Sequence, residues 1–314
     1  MHGVVPPPSR HTVLPGLLAL ACAAIALVQA PPAAAQPGPA PAPAAAAQPA
    51  PAPASPAGPV RSTTLTIGGS QNPPGLLARV QLQWRWRTTT SSSPLLSDAH
   101  VAVGLTPSLS PSYTRLDAWV EVAPLSILNV RAGIEPAYYF GTFGSLVNFS
   151  DYTQPFDWKA VQAREDEARA AAALRLYVNP TLQIRVGRIA AASSATLERW
   201  RADVPGPLFY EVYRDTLIAA SGGTVGFLSN VAVYEAPAGR GKLSAGVLHD
   251  LTYVYAFADN RIQRIGPVVM YEAGWSWFVL HRPTFIVNVG YYLNDPSKKR
   301  QGYYLAGVTV PLGK

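Results

Sequence analysis

Cysteine is almost missing: one residue, Cys22, stands in 314, and it lies in the N-terminal apolar segment. No disulfide within the chain beyond that segment and no thiolate metal cluster is possible, so an oxidising compartment is tolerated but not required. Charge is also scarce. Charged residues make up 14% of the chain, against about 25% in typical soluble domains. Yet no long apolar run follows residue 35, and a helix that spans a bilayer needs roughly 20 consecutive apolar residues. Histidine is limiting too. Beyond the first 35 residues there are His100, His249 and His281. No phosphate loop, dinucleotide fingerprint or metal-ligand spacing occurs, so no cofactor and no metal are expected. No basic helix or nucleic-acid recognition motif occurs either, and nucleic acid is not an expected partner.

What is present begins with an export signal. Residues 1–35 combine Arg10 and His11, an apolar stretch from Val13 to Val28, and small residues that offer cleavage after Ala30 or Ala35. That is the layout of a removable secretory signal. The alternative is a lipoprotein signal with Cys22 as acceptor, but Ala19-Leu20-Ala21-Cys22 lacks a leucine three residues before the cysteine. Residues 36–60 are almost entirely Pro and Ala. Such a segment cannot bury enough apolar surface to fold, and proline keeps it extended. It is expected to be a spacer, with a periplasmic partner as its possible use. The remaining unit is 61–314. Of the 25 Lys+Arg only Arg10 precedes residue 36, so the rest outnumber the 18 Asp+Glu by six.

Strand periodicity dominates that unit. Arg79-Val80-Gln81-Leu82-Gln83-Trp84-Arg85-Trp86-Arg87 alternates strictly, and successive strand side chains point to opposite faces. Leu116, Ala118, Val120 and Val122 alternate with Arg115, Asp117, Trp119 and Glu121. Leu128, Val130, Ala132 and Ile134 oppose Asn129, Arg131 and Glu135, and Leu182, Ile184 and Val186 oppose Thr181, Gln183 and Arg185. Phe285 to Tyr291 and Tyr304 to Leu312 repeat the division. A secreted β-sandwich also alternates. Low charge and the spacing of turns favour an all-β, antiparallel transmembrane β-barrel. Short turns are expected at 123–126, Asn179-Pro180, 236–239 and 281–283, and long links at 142–165, 190–221, 258–264 and 294–300. Short turns at one rim and long loops at the other are the pattern of outer-membrane barrels. The strand total is expected to be twelve, with ten as the alternative. The loop 142–165 reads as an outer loop, with an inward constriction or cap as the other option. Trp84, Trp86, Tyr138, Tyr139, Tyr253, Tyr255, Trp275 and Trp277 sit near strand ends or on outward faces, where interfacial aromatic rings are expected.

These carriers give a resemblance to Gram-negative outer-membrane β-barrel proteins in general. The last strand, Tyr303 to Leu312, resembles an assembly signal through Gly307, Val310 and Leu312, although the chain then ends in Gly313-Lys314 instead of an aromatic residue. The resemblance implies a bacterial outer-membrane location, outer-membrane lipid as surroundings, and the barrel-assembly machinery as a partner through those three residues.

The inward charges are the most informative constellation: Arg79, Arg85, Arg87, Arg115, Asp117, Glu121, Arg131, Glu135, Arg175, Arg185, Asp250 and Glu272. Buried charges must be paired or hydrated. Water in the lumen would make the barrel a narrow, porin-like channel for small polar or anionic solutes, since charged rings select ions. Ion-pair ladders would instead fill it and leave a structural or anchoring barrel. The third reading is a lipid-directed hydrolase. The outer-membrane phospholipase A family places His and Ser two residues apart on one face, but Val247 and Leu251 flank His249 at that spacing. No catalytic residue is expected; His249 and Asp250 are the nearest candidates.

Overall fold

The computed structural model describes residues 58–277 and 280–312. The expected signal, and the spacer up to residue 57, lie outside the described residues. Twelve long strands close into one antiparallel barrel. They are β1 (Val60–Gln71), β2 (Gly75–Arg87), β3 (His100–Leu109), β4 (Tyr113–Leu125), β5 (Leu128–Phe140), β7 (Ala170–Val186), β8 (Ile189–Ala202), β11 (Gly223–Ala238), β12 (Gly241–Val254), β13 (Arg261–Glu272), β16 (Thr284–Asn294) and β17 (Gly302–Leu312). The five short strands between them are β6 (Asn148–Phe149), β9 (Leu208–Glu211), β10 (Thr216–Ala219), β14 (Ser276–Trp277) and β15 (Leu280–His281). Each barrel strand pairs with its chain neighbours, and β1 pairs with β17 to close the wall, Leu65 opposite Val310 and Thr66 opposite Thr309. Closure leaves no unpaired edge, which is what a strand-built structure needs in hydrocarbon.

Alternation sets the two faces. In β4, Tyr113, Arg115, Asp117, Trp119, Glu121 and Ala123 are buried, while Leu116, Val120 and Val122 are exposed. β7 does the same with Arg175, Tyr177, Asn179 and Thr181 inside and Leu174, Leu176, Val178 and Leu182 outside. The outside is therefore an apolar belt and the inside polar, the division of a membrane barrel and the reverse of a soluble one. Two interior glycines permit the wall to bend under large rings. A Cβ at Gly104 would overlap Trp119, and one at Gly133 would overlap Tyr177.

One rim carries the turns 126–127, 187–188 and 239–240, with the longer 88–99 and 273–283; this is the turn end. The other carries 72–74, 110–112 and the long loops 141–169, 203–222, 255–260 and 295–301; this is the loop end. Aromatic side chains mark the loop-end belt: Tyr138, Tyr255, Tyr291 and Tyr304 are all exposed. Tyr139 lies near the end of β5, as expected, but does not join the outer belt. It follows Tyr138 directly, so alternation sends it inward, where it is fully buried.

Three further expectations are corrected. Asn179-Pro180 is not a turn: β7 runs through it, and the turn is Gly187-Arg188. Proline has no N–H to donate, and the ladder to β8 skips these two residues and resumes in the same register at Thr181 opposite Ser194. The Asn179 amide bridges the gap, donating to Ser194 Oγ (2.8 Å) and Thr196 Oγ1 (2.6 Å). The stretch 190–221 is not one loop, because its first part is β8. The loop 141–169 is only in part a solvated outer loop: Asp151, Thr153 and Glu165–Glu167 are exposed, but its core turns inward. It holds β6, a one-turn helix at Trp158–Gln162 capped by Asp157, and buried Phe149, Phe156 and Val161, which pack against Tyr210, Tyr292 and Tyr303 in the mouth of the barrel.

Candidate functional site: a charged lumen crossed by a hairpin

The loop 203–222 folds inward. β9 and β10 pair as a hairpin, and β6 from the other long loop adds a third strand. Every residue of β9 is buried. At the tip Asp215 takes a left-handed backbone conformation (φ 55°), which aspartate tolerates better than most residues. Tyr210 donates to Asp215 Oδ1 (2.6 Å) and Tyr292 to Oδ2 (3.1 Å), and the fully buried Lys298 forms an ion pair with the same carboxylate. Asn260 donates to Thr216 (3.0 Å).

On its other side the hairpin completes a ring of alternating charges with the wall. Glu211 pairs with Arg115 and accepts from Tyr139 (2.6 Å). Arg115 reaches Glu135 (3.4 Å), Glu135 takes Arg175 (3.0 Å), and Arg175 takes Glu198 (3.0 Å). Glu198 pairs with Arg214 and accepts from Trp200 (2.8 Å). The Arg214 backbone N–H then returns to Glu211 (2.5 Å). Three arginines and three glutamates balance. All six are buried, and guanidinium stacking adds to the packing: Arg115 lies 4.0 Å from the Tyr113 ring centre and Arg214 4.1 Å from that of Phe227. Tyr139 is on β5 and Tyr292 on β16. Going either way round the wall, five strands separate β5 from β16. The hairpin tip thus touches opposite walls and crosses the lumen.

Below the ring, toward the turn end, charges are paired but wetter. Arg131 binds Glu121 (2.8 Å), and His100 meets the other oxygen of Glu121 (3.1 Å). Tyr177 donates to Asp117 (2.9 Å). Asp250 and Arg264 are not below the ring but beside Arg214 of the hairpin, where the buried Asp250 takes Arg264 (2.9 Å) and Ser229 (2.7 Å). At the rim, Glu235 holds Arg185 (2.5 Å) and Lys242 (2.9 Å), Glu272 holds Arg282 (2.6 Å), and Arg85 holds Asp98 (3.0 Å). Arg87 donates to the Ser97 carbonyl (2.6 Å). Arg79 lies among Tyr213, Arg131 and Asp117.

The structure brings Arg115, Glu135 and Arg175 into one network and places Asp117, Glu121 and Arg131 beside it. Arg185 and Glu272 are distributed around the turn-end rim instead. His249 and Asp250 go to opposite faces of the wall: Asp250 is inside, whereas His249 bonds with Asn230 and Gln263. They form no joint site. Sequence reasoning missed Glu198, Glu211, Arg214, Asp215 and Lys298. Glu198 alternates with Leu197, but the outward Arg199 and Arg201 near the rim and the run Ala190-Ala191-Ala192 blur the contrast. The hairpin residues carry no periodic signal that would send them into the lumen. With them, the inward arginine excess shrinks, because Glu198 and Glu211 join against Arg214 alone.

No family model matches the chain, and no curated protein matches it. Among solved structures it is similar to the NanC porin, at 8% identity and a TM-score of 0.38, covering 79% of this chain and 98% of the porin. It is similar to the translocator domain of the autotransporter NalP from Neisseria meningitidis, at 12% identity and 0.33, covering 81% and 87%. OmpT, expressed in the outer membrane of Vibrio cholerae, follows at 12% identity and 0.34, covering 81% and 96%. The likeness is to outer-membrane β-barrels in general.

Proposed function

We propose that this is a narrow, porin-like channel of the outer membrane for small polar solutes, with a weak anion preference, closed at rest by the inward hairpin. The observation that carries the reading is the chemistry of the closure. A permanently solid barrel has no need of ion pairs there for stability, since replacing a buried pair with apolar groups is often neutral or stabilising. Here the wall behind a loop is lined with Arg115, Glu135, Arg175 and Glu198, side chains that water can solvate once the hairpin leaves. An apolar wall would dewet instead. Outer-membrane lipid surrounds the apolar belt, the loop end faces outward, export uses the 1–35 signal, and Gly307, Val310 and Leu312 engage the assembly machinery.

The test is planar-bilayer conductance of the refolded barrel beside a variant in which residues 205–220 are replaced by a short Gly-Ser link. Heat-modifiable gel migration verifies folding of both. The intact protein gives rare, brief steps, and the shortened one gives frequent steps of uniform size. A folded, silent shortened variant overturns the channel and leaves the structural barrel, with the spacer as a tether for a periplasmic partner.

A further inference from the structure

The inside of the barrel is polar along β4 and β7, yet four adjacent strands break that rule. On β11, β12, β13 and β16 the inward positions carry Val231 and Val233, Leu248, Val268 and Met270, and Ile286. Their parity is inward, because the residues next to them in the chain, Tyr234, Val247, Val269 and Val287, are exposed on the outer face. Val233, Leu248 and Val268 are buried as one cluster, and Val231, Met270 and Ile286 pack against it half-buried. The patch lies toward the turn end. Met270 is third from that end of β13, and Ile286 third from that end of β16.

The strands opposite carry the complement. Around the wall, β1 and β17 separate this group from β2–β5 on one side, and β7 and β8 separate them on the other. The two groups of four therefore face each other across the lumen. On β2, Gln81, Gln83 and Arg79 share the inward face, since Arg79 lies opposite the buried Thr66. Arg131 on β5 is paired with Glu121 but keeps 17% of its side chain exposed. Arg79 is half-buried, and among the described residues it makes no ion pair and no hydrogen bond. Its carboxylate neighbour Asp117 accepts from Tyr177 through both oxygens instead (3.1 and 2.9 Å). A guanidinium with unspent donors thus looks across the lumen at an apolar wall.

A plain aqueous pore needs no apolar patch, and a solid plug would pair its arginine. The patch is one-sided, so the lumen beside it stays wet along Gln81 and Gln83. Together the two walls have the chemistry that holds an amphipathic anion. We propose that the turn-end half of the lumen binds a small carboxylate bearing an alkyl or aromatic group, with the carboxylate on Arg79 and the apolar part on the β11–β16 patch. The planar guanidinium fork matches a carboxylate bidentately. One free guanidinium beside Asp117 suits a single negative charge better than the two of a phosphate monoester. This solute class rests on the channel reading for its use, which is passage, but its binding is read without any current.

The full barrel in nanodiscs is titrated calorimetrically with hexanoate, acetate and hexanamide, with empty nanodiscs subtracted. Heat-modifiable migration verifies that each variant is folded. Hexanoate binds the wild type at least tenfold more tightly than acetate, which lacks the tail, and than hexanamide, which lacks the charge. At about fourfold per buried methylene, two methylenes on the patch give the first ratio. Arg79→Gln brings hexanoate down to the level of hexanamide. Met270→Gln/Ile286→Thr brings it down to the level of acetate and leaves acetate unchanged. A wild type that binds hexanoate no better than acetate or hexanamide overturns the proposal, as does either folded variant with wild-type affinity. Selective binding to a barrel that never conducts upholds the site and removes the channel. Frequent conductance steps without selective hexanoate binding uphold the channel and overturn the site.

Discussion

Glu211→Gln tests the proposed closure of the channel by the hairpin with almost no change of shape. Both oxygens of Glu211 are used: one faces Arg115 and Tyr139, the other the Arg214 backbone N–H. Glutamine can accept at only one of those positions, because its NH₂ group opposes a donor at the other. At least one charge-assisted hydrogen bond is lost, at about 1.5–3 kcal/mol. The ring is also left with three arginines against two glutamates. Breaking a buried pair by removing one charge costs about 3–5 kcal/mol in total. The wall alone does not bear that cost, since Arg115 keeps Glu135 and is hydrated when the hairpin leaves. The destabilisation therefore falls on the docked state, and at about 1.4 kcal/mol per factor of ten the open-to-closed ratio rises by roughly two to three and a half orders of magnitude. Single-channel open probability reads this directly. The paired variant Arg115→Met/Glu211→Leu removes both charges, leaves Glu135 with Arg175, and returns the channel toward its closed lifetime. A folded Glu211→Gln barrel with wild-type closed times, or a double variant that opens as readily as the single one, refutes the reasoning.

Three other perturbations probe the frame. Asp295, in the loop 295–301, accepts the N–H groups of Ser297 and Lys298 through one oxygen (both 2.7 Å), while its other oxygen is buried without a partner. Burial raises its carboxyl above the usual range. A carboxyl raised on folding costs stability when charged, and the cost disappears as pH falls through the raised value toward the unfolded one of about 3.9. Asp295→Asn should thus equal or exceed the wild type in loop-end protease resistance at neutral pH and lose the gain on acidification; a less resistant Asn variant at neutral pH contradicts this. Val120→Arg puts a charge in the middle of the lipid face and should lower unfolding free energy in liposomes by about 2–4 kcal/mol, with no change meaning that Val120 does not meet lipid. At Gly266 a Cβ would collide with the Val289 carbonyl on β16, so Gly266→Ala should cost about 1–3 kcal/mol as overpacking does, seen as a lower denaturation midpoint. An unchanged midpoint would show the wall to be less tightly curved there.

The alternating segments determined a great deal by themselves. Period-two patterning in Arg115 to Val122 or Thr181 to Val186 fixes which side chains share a face, because a strand offers only two. Low charge with apolar faces on the strands favours a closed wall in lipid over a sandwich, and the segments between turns pointed to twelve strands, with ten as the alternative that the closed barrel removes. Local signals were weaker where chemistry interrupts the pattern. Asn179-Pro180 has the composition of a turn, yet the strand continues because the Asn179 side chain supplies hydrogen bonds across the gap. Tyr138 and Tyr139 look alike in composition and part company only through parity.

What only the tertiary structure decided is what meets across the barrel and along its wall. Glu211, Arg214 and Asp215 sit in a loop with no periodicity, and they come to Arg115, Glu198 and Tyr292 from 16 to 96 residues away in the chain. Val233, Leu248, Val268 and Ile286 lie on four strands and become one apolar patch through register. Parity is a local property, carried by each residue's neighbours in sequence. Register and loop docking depend on shear and on the closing of the wall, and those exist only once all twelve strands are paired.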